Sequence, residues 1–211
     1  MLAEVEAMYA QTRGDTGLPA MSPAVRAAIG KVERHRLLEP AQAGAAYRNE
    51  ALSIGNGQTI SQPYVVALSA DLLGIDSSSV VLDVGTGSGY QAAVLAEIAG
   101  KVCSIELQDD LGGKAEKRLE ELGYGNIEIR IGDGYRGWPQ KAPFDGIVVT
   151  AAAPQVPEAL VEQLKPGGRM VIPVGGPGDV QILKLVTKGN GGVAQRRVLP
   201  VRFVPLVPGK P

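Results

Sequence analysis

The chain has 211 residues, 45% of them hydrophobic and 20% charged, with a formal net charge of −1. That is the composition of a globular domain with enough chain to bury a substantial core, and it excludes any general attraction for polyanions. One cysteine (Cys103) excludes an internal disulfide, and one histidine (His35) leaves no Cys/His metal cluster and argues against a Ser–His–Asp triad. The N-terminal stretch carries Glu4 and Glu6 where a secretory leader is basic and then apolar, and no apolar run reaches membrane-spanning length. The expectation is a cytoplasmic protein, monomeric, with no nucleic-acid or membrane partner.

Residues up to Asp76 read as helix and loop. Ala3 to Gln11 is a predicted helix, and Ser22-Pro23 opens another with an N-cap serine and a first-turn proline. Pro40 ends the segment that follows. Leu52 to Pro63 reads as a polar, glycine-punctuated loop, and Tyr64 to Leu73 as a helix closed by Gly74. From Val80 the pattern becomes regular. Strands are expected at Val80–Val84, Lys101–Glu106, Ile127–Ile131, Gly146–Thr150 and Arg169–Val174. Helices are expected between them at Tyr90–Ala99, Asp109–Leu122 and Pro157–Leu164, with Gly112-Gly113 weakening the start of the second. Gln181–Thr187 and Arg196–Leu206 flank Gly189-Asn190-Gly191-Gly192 and read as an antiparallel hairpin. Continuous apolar strands alternating with helices indicate an α/β fold. It is a three-layer, doubly wound, mostly parallel sheet of Rossmann-like type, with a C-terminal hairpin and an N-terminal helical extension. Residues 1–76 form the extension and 77–211 the core.

Asp83-Val84-Gly85-Thr86-Gly87-Ser88-Gly89 joins the apolar strand Val80-Val81-Leu82 to the helix beginning at Tyr90. A glycine-rich turn between strand and helix presents backbone N–H groups to a nucleotide-like ligand, although it can also serve as a tight connection. The spacing is G-x-G-x-G, not the G-x-G-x-x-G of dinucleotide folds, and an acid opens the loop. A carboxylate there would repel a pyrophosphate but suits a ligand carrying an ammonium and a sulfonium, such as S-adenosylmethionine. Ligands of open parallel sheets bind beyond the carboxyl ends of the strands. Glu106 ends the second strand, where an acid can accept both ribose hydroxyls. Asp133, in Ile131-Gly132-Asp133-Gly134, can accept an adenine amino group or act as a turn aspartate. Ser61 can cap the helix behind it or belong to a loop that closes over the ligand.

From about Ala45 onward the chain resembles the protein-L-isoaspartate O-methyltransferase family, a class I S-adenosylmethionine-dependent group. The resemblance rests on Gly57-Gln58-Thr59-Ile60-Ser61-Gln62-Pro63, on Leu82 to Leu95, and on Gly132-Asp133-Gly134. Thr150-Ala151-Ala152-Ala153-Pro154, Lys165-Pro166-Gly167-Gly168 and Ile172-Pro173-Val174-Gly175 extend it. It implies methylation of isoaspartyl residues in damaged peptides and proteins, with S-adenosylhomocysteine as the product. It also implies that Ser61 is the active-site serine. By the same resemblance Thr59, Ile60, Asp83, Gly85, Thr86, Gly87, Ser88, Gly89, Glu106, Leu107, Asp133 and Gly134 contact the cofactor. Ile60, Ser61, Val174, Val204 and Leu206 would line the substrate peptide. The departures are Asn49, where family members often carry Asp, and Leu37, which replaces a frequent Phe.

The implied reaction is an in-line displacement at the sulfonium methyl by a carboxylate already ionised near neutral pH, so no strong base is needed. Ser61 then orients by hydrogen bonding, and recognition rests on peptide backbone, with no charged pocket for a neighbouring side chain. Three rival readings differ from this. A nucleic-acid or small-molecule methyltransferase lacks an Asn/Asp-Pro-Pro-aromatic motif here, a non-catalytic cofactor sensor would not need Ser61, and an NAD-linked oxidoreductase conflicts with Asp83.

Overall fold

The computed structural model describes residues 1–176 and 179–209. Helix α1 (Leu2–Thr16) outlasts its predicted end by a turn and stops where Gly17 takes a left-handed conformation. Helix α2 (Pro23–Lys31) starts as expected, with the Ser22 side chain accepting from Val25 N at 3.3 Å. Two short 3-10 turns, Arg34–Leu37 and Pro40–Ala45, lead into a region where the structure departs from the sequence expectation.

The expected loop from Leu52 is a two-stranded hairpin, β1 (Leu52–Gly55) with β2 (Gln58–Ile60). Asn56 and Gly57 both have positive φ, 52° and 71°, which is the turn that two-residue hairpins require. Helix α3 (Pro63–Leu73) follows and ends on left-handed Gly74.

The core alternates β3 (Val80–Val84), α4 (Tyr90–Ala96), β4 (Lys101–Glu106), α5 (Asp109–Glu121), β5 (Ile127–Ile131) and β6 (Phe144–Val149). It continues with α6 (Glu158–Glu162), β7 (Leu164–Val174), β8 (Gln181–Gly189) and β9 (Gly192–Val201). The seven strands lie in the order β5-β4-β3-β6-β7-β8-β9, parallel through β7 and antiparallel from β7 to β9. The chain winds outward in both directions from β3, so β3 and β6 flank the switch point where such sheets bind ligands.

Strand alternation sorts the core into two layers. Val81, Val102, Val148 and Val171 face α1 to α4 and Leu119 of α5. Leu82, Cys103, Ile105, Ile147 and Met170 face Trp138 and Leu160 of α6 on the other side. The N-terminal helices therefore share one apolar cluster with the sheet.

Three expectations are corrected. Helix α6 is shorter than predicted, and β7 already begins at Leu164. The second hairpin strand starts at Gly192 and ends at Val201. Beyond it the chain leaves β8, and Ala152 N instead donates to Val204 O at 2.8 Å while Leu206 N donates to Ala152 O at 2.8 Å. Helix α5 forms across Gly112 and Gly113, and a Cβ at Gly112 would stand 2.4 Å from Ile131 Cδ1, where the helix packs on β4 and β5.

Candidate functional site: two clefts that meet at Ser61

The glycine turn leaves β3 under close restraint. Gly85 N and Thr86 N both donate to Ile105 O, at 2.8 and 3.1 Å. Thr150, just past β6, donates its hydroxyl to Gly85 O at 2.7 Å. Gly85 has φ 102°, and a Cβ there would lie 2.5 Å from Thr150 Oγ1, so no other residue fits without displacing the turn.

Below the turn lies a chain of buried polar groups. Ser104 Oγ donates to Asp83 Oδ2 at 2.8 Å and takes a bond from Thr86 Oγ1 at 2.6 Å. Asp83 is fully buried and its second oxygen has no hydrogen-bond partner among the described residues. Burial, reinforced by the charge of Glu106 and opposed by the Ser104 bond, pushes its carboxyl up to about 7.

Above the turn is a cleft of about 240 Å³. Gly85 to Ser88 form its floor and Glu106 to Gln108 one wall. Gln58 to Ser61 form a second wall, and Val204 to Val207 a third. Glu106 accepts from Gly87 N at 2.8 Å, Leu107 N at 2.9 Å and Gln108 N at 3.0 Å. Three amides thus fix an acceptor group at the cleft edge. Two buried polar atoms of cleft-lining side chains, Tyr90 Oη and Gln91 Nε2, have no hydrogen-bond partner among the described residues. Such atoms are unfavourable unless a ligand or water satisfies them. Backbone cradle, fixed carboxylate and orphaned polar atoms together fit a polar nucleoside-like group.

A larger groove, about 660 Å³, opens on the other side of the same loop. It runs between α1 (Met8, Thr12, Asp15), the segment Asn49–Ala51, and Leu199–Phe203 after β9. Thr59 and Ser61 line both the cleft and the groove. The Ser61 hydroxyl makes no hydrogen bond to the described residues, and it does not cap α3. The N-cap is Gln62, and Tyr64 N is instead satisfied by Asn49 Oδ1 at 3.0 Å.

Residues 6–210 match the family described as protein-L-isoaspartate(D-aspartate) O-methyltransferase. Protein-L-isoaspartate O-methyltransferase 2 of Polaromonas sp. strain JS666 is 53% identical over 207 residues, covering 98% of both chains. Its counterpart in Syntrophobacter fumaroxidans is also 53% identical, over 99% of this chain and 85% of that one. The chain belongs to this family.

Solved members of the protein-L-isoaspartate O-methyltransferase family share its fold. One superposes with a TM-score of 0.82 at 28% identity over 97% of this chain, which spans 65% of that longer chain. A Plasmodium falciparum chain, described as a methyltransferase of the same kind in complex with S-adenosyl-L-homocysteine, gives 0.78 at 26% identity over 98% and 97% of the two chains.

Most of the site residues expected from the sequence converge. Thr59, Ile60, Ser61, Gly85, Thr86, Gly87, Ser88, Glu106, Leu107, Gly134, Val204 and Leu206 all line the cleft. Four do not. Asp83 lies under the turn and reaches it through Ser104 and Thr86, because alternation along β3 turns its side chain to the helical layer. Gly89 faces Leu119 of α5. Asp133 accepts from Tyr135 N at 2.9 Å, the turn-aspartate alternative, while its neighbour Gly134 reaches the cleft. Val174 pairs with Ile182 and bridges Ala153, lining neither space.

Thr12, Arg202 and Phe203 in the groove were not expected from the sequence, and Asn49, which also lines it, stood out only as a departure from the family pattern. Asp15, Glu50 and Arg202 also give the groove charged walls where none were expected. The Asn56-Gly57 dipeptide was a usable signal for the hairpin that carries Thr59. Nothing local marks the others.

Proposed function

We propose that this chain transfers a methyl group from S-adenosylmethionine to the free α-carboxylate of L-isoaspartyl residues in damaged peptides and proteins. The observation that carries this reading is the sharing of Thr59 and Ser61 by two separate spaces. One has a nucleoside-like polar lining, and the other is a larger space bounded by α1, Asn49–Ala51 and Leu199–Phe203, with room for part of a peptide. A cofactor held in the first and a carboxylate arriving from the second would meet at this loop.

When bound, the cofactor supplies an electrophilic methyl group on a sulfonium. Gly85 to Ser88 and the carboxylate of Glu106 would hold it, with Asp83 and Ser104 keeping the turn in place from beneath. The Ser61 hydroxyl, without a hydrogen-bond partner among the described residues, is available to donate to a substrate carboxylate oxygen and aim the other at the methyl. No proton has to be removed from an acceptor that is already ionised. The main contribution is alignment, which in intramolecular analogues supplies about 7–11 kcal/mol. An isoaspartyl linkage moves the carboxylate by one methylene, so a rigid loop discriminates by reach. The product ester then closes to a succinimide as the neighbouring backbone nitrogen displaces methanol.

We also propose that the protein works as a cytoplasmic monomer. Residues of this chain line both spaces, and its sole thiol, Cys103, is buried, as suits a reducing compartment. The test is transfer of labelled methyl to an isoaspartyl peptide and to its aspartyl twin. Labelling of the isoaspartyl peptide alone, followed by methanol release, is expected. Equal labelling of the twin, or of neither while a nucleic acid is methylated, overturns the reading.

A further inference from the structure

Arg34 is the largest fully buried side chain of the described residues and has no carboxylate within ion-pair distance among them. A guanidinium stays charged in a protein, so such a site must be compensated by other means. Burial pulls its pKa down, and the neighbouring Tyr90 and Glu50 act in the opposite direction. The compensation comes from main-chain carbonyls. Nη1 donates to Ala46 O, and Nη2 donates to Glu50 O and Ser61 O, each at 3.1 Å. The guanidinium carbon also lies 5.2 Å from the centroid of the Tyr90 ring, within cation–π range.

These partners come from different parts of the site. Ala46 and Glu50 flank Asn49, which holds the first turn of α3 through Tyr64 N. Ser61, like Thr59, is shared by cleft and groove. Tyr90 is the first residue of α4, directly behind the glycine turn, and lines the cleft. Ala46 lies fifteen residues from Ser61 in sequence and Tyr90 twenty-nine, yet one planar group touches all three. The Ser61 hydroxyl makes no hydrogen bond among the described residues, so its position depends on its backbone, and Arg34 is bonded to that backbone.

We propose that Arg34 is a positioning residue for methyl transfer: its guanidinium clamps the Ser61 backbone to the segment Ala46–Glu50 and to Tyr90, fixing the hydroxyl relative to the glycine turn. The inference rests on the methyltransferase reading above. The planar fork matters as much as the charge, since a lysine ammonium cannot reach three carbonyls while lying over a ring. A residue that serves only to fill the core predicts a different outcome, namely lost stability with unchanged turnover per folded molecule.

The test compares wild type with Arg34→Lys and Arg34→Ala. The measurements are melting, S-adenosylhomocysteine affinity by calorimetry, kcat and KM on an isoaspartyl peptide, and amide exchange at Thr59–Gln62. Arg34→Lys is expected to keep S-adenosylhomocysteine affinity and peptide KM within about threefold while kcat falls tenfold or more, with faster exchange confined to the loop. For Arg34→Ala, millimolar guanidinium chloride, far below denaturing levels, should recover part of the lost kcat, and methylammonium should not. The proposal is overturned if kcat per folded molecule in Arg34→Lys stays within twofold of wild type, or if loop exchange is unchanged. Exchange needs no substrate, so it judges the clamp even when the wild type methylates no isoaspartyl peptide, a result that would count against the reading and not against the clamp. If Arg34→Ala does not fold, Arg34→Lys alone decides.

Discussion

The cleft above the glycine turn and the groove behind Ser61 lie on two sides of one loop, yet they draw on the chain in different ways. The cleft floor and the Glu106 wall come from a single β-α-β unit, Val80 to Gln108, in which each residue's place follows from strand, turn and helix. The groove takes its walls from α1, from the segment before β1, and from the end of β9, as far apart in sequence as Met8 and Phe203. Local covalent order builds that floor and that wall of the cleft, while Gln58–Ser61 and Val204–Val207 close it through packing. Tertiary packing builds the groove. A cofactor is one fixed molecule and suits a site determined locally, whereas a damaged peptide can carry any neighbours and suits an open channel between elements.

This contrast predicts that the two spaces fail separately, and the largest separation is expected at their junction. Replacing Ser61 by Ala should lower kcat by roughly 100-fold or more, the usual cost of removing one oriented donor. Because the hydroxyl has no hydrogen-bond partner among the described residues and caps no helix, melting and S-adenosylhomocysteine affinity should stay near wild type. Parallel melting, calorimetry and turnover on one preparation check this. A drop in stability with unchanged turnover would return Ser61 to a structural role.

On the cleft side, Glu106→Ala removes the fixed acceptor and leaves the amides of Gly87, Leu107 and Gln108 without their carboxylate. Cofactor binding should weaken by about 1–3 kcal/mol, with peptide KM little affected at saturating cofactor. If KM for the peptide rises as much as the cofactor Kd, the two spaces are not separable.

The smallest effect concerns the support beneath the turn. The Asp83 carboxyl is raised to about 7 by burial, from the 3.8 of an ordinary aspartate. Below about pH 4 the carboxyl is protonated in both folded and unfolded chains. As pH rises to 7 the unfolded chain loses the proton first, so the folded state loses stability across that window and levels off above it. Asp83→Asn lacks this dependence. Denaturant unfolding from pH 4 to 8.5 should show wild type losing ground to Asp83→Asn up to about pH 7 and holding a constant gap above. A gap that is constant throughout means that folding does not shift the Asp83 carboxyl.

The same contrast explains what could be read from the sequence. Val80–Val84, the glycine turn and Glu106 were legible because strand periodicity and turn chemistry act within a few residues. Even there, alternation along β3 was the detail that separated Asp83 from its neighbours, and it put that side chain beneath the loop. The β1–β2 hairpin was written in Asn56-Gly57 but masked by the polar composition around it. The exit of Val204–Leu206 from β9 was not legible, because those residues pair with Ala152, about fifty positions away. Arg34 and Thr12 carry no local signal at all, and Asn49 stands out only as a departure from the family pattern. Each matters through partners that only the packing of the N-terminal helices on the sheet brings near.

The claim that the two spaces converge on one loop is tested most directly by a crystal structure of the protein with S-adenosylhomocysteine and an isoaspartyl peptide. The account predicts the cofactor product on Gly85–Ser88 against Glu106, the peptide along Leu199–Phe203, and its free α-carboxylate within hydrogen-bond reach of Ser61 Oγ. A peptide carboxylate bound away from Ser61, or a cofactor seated outside the Glu106 cleft, would contradict it.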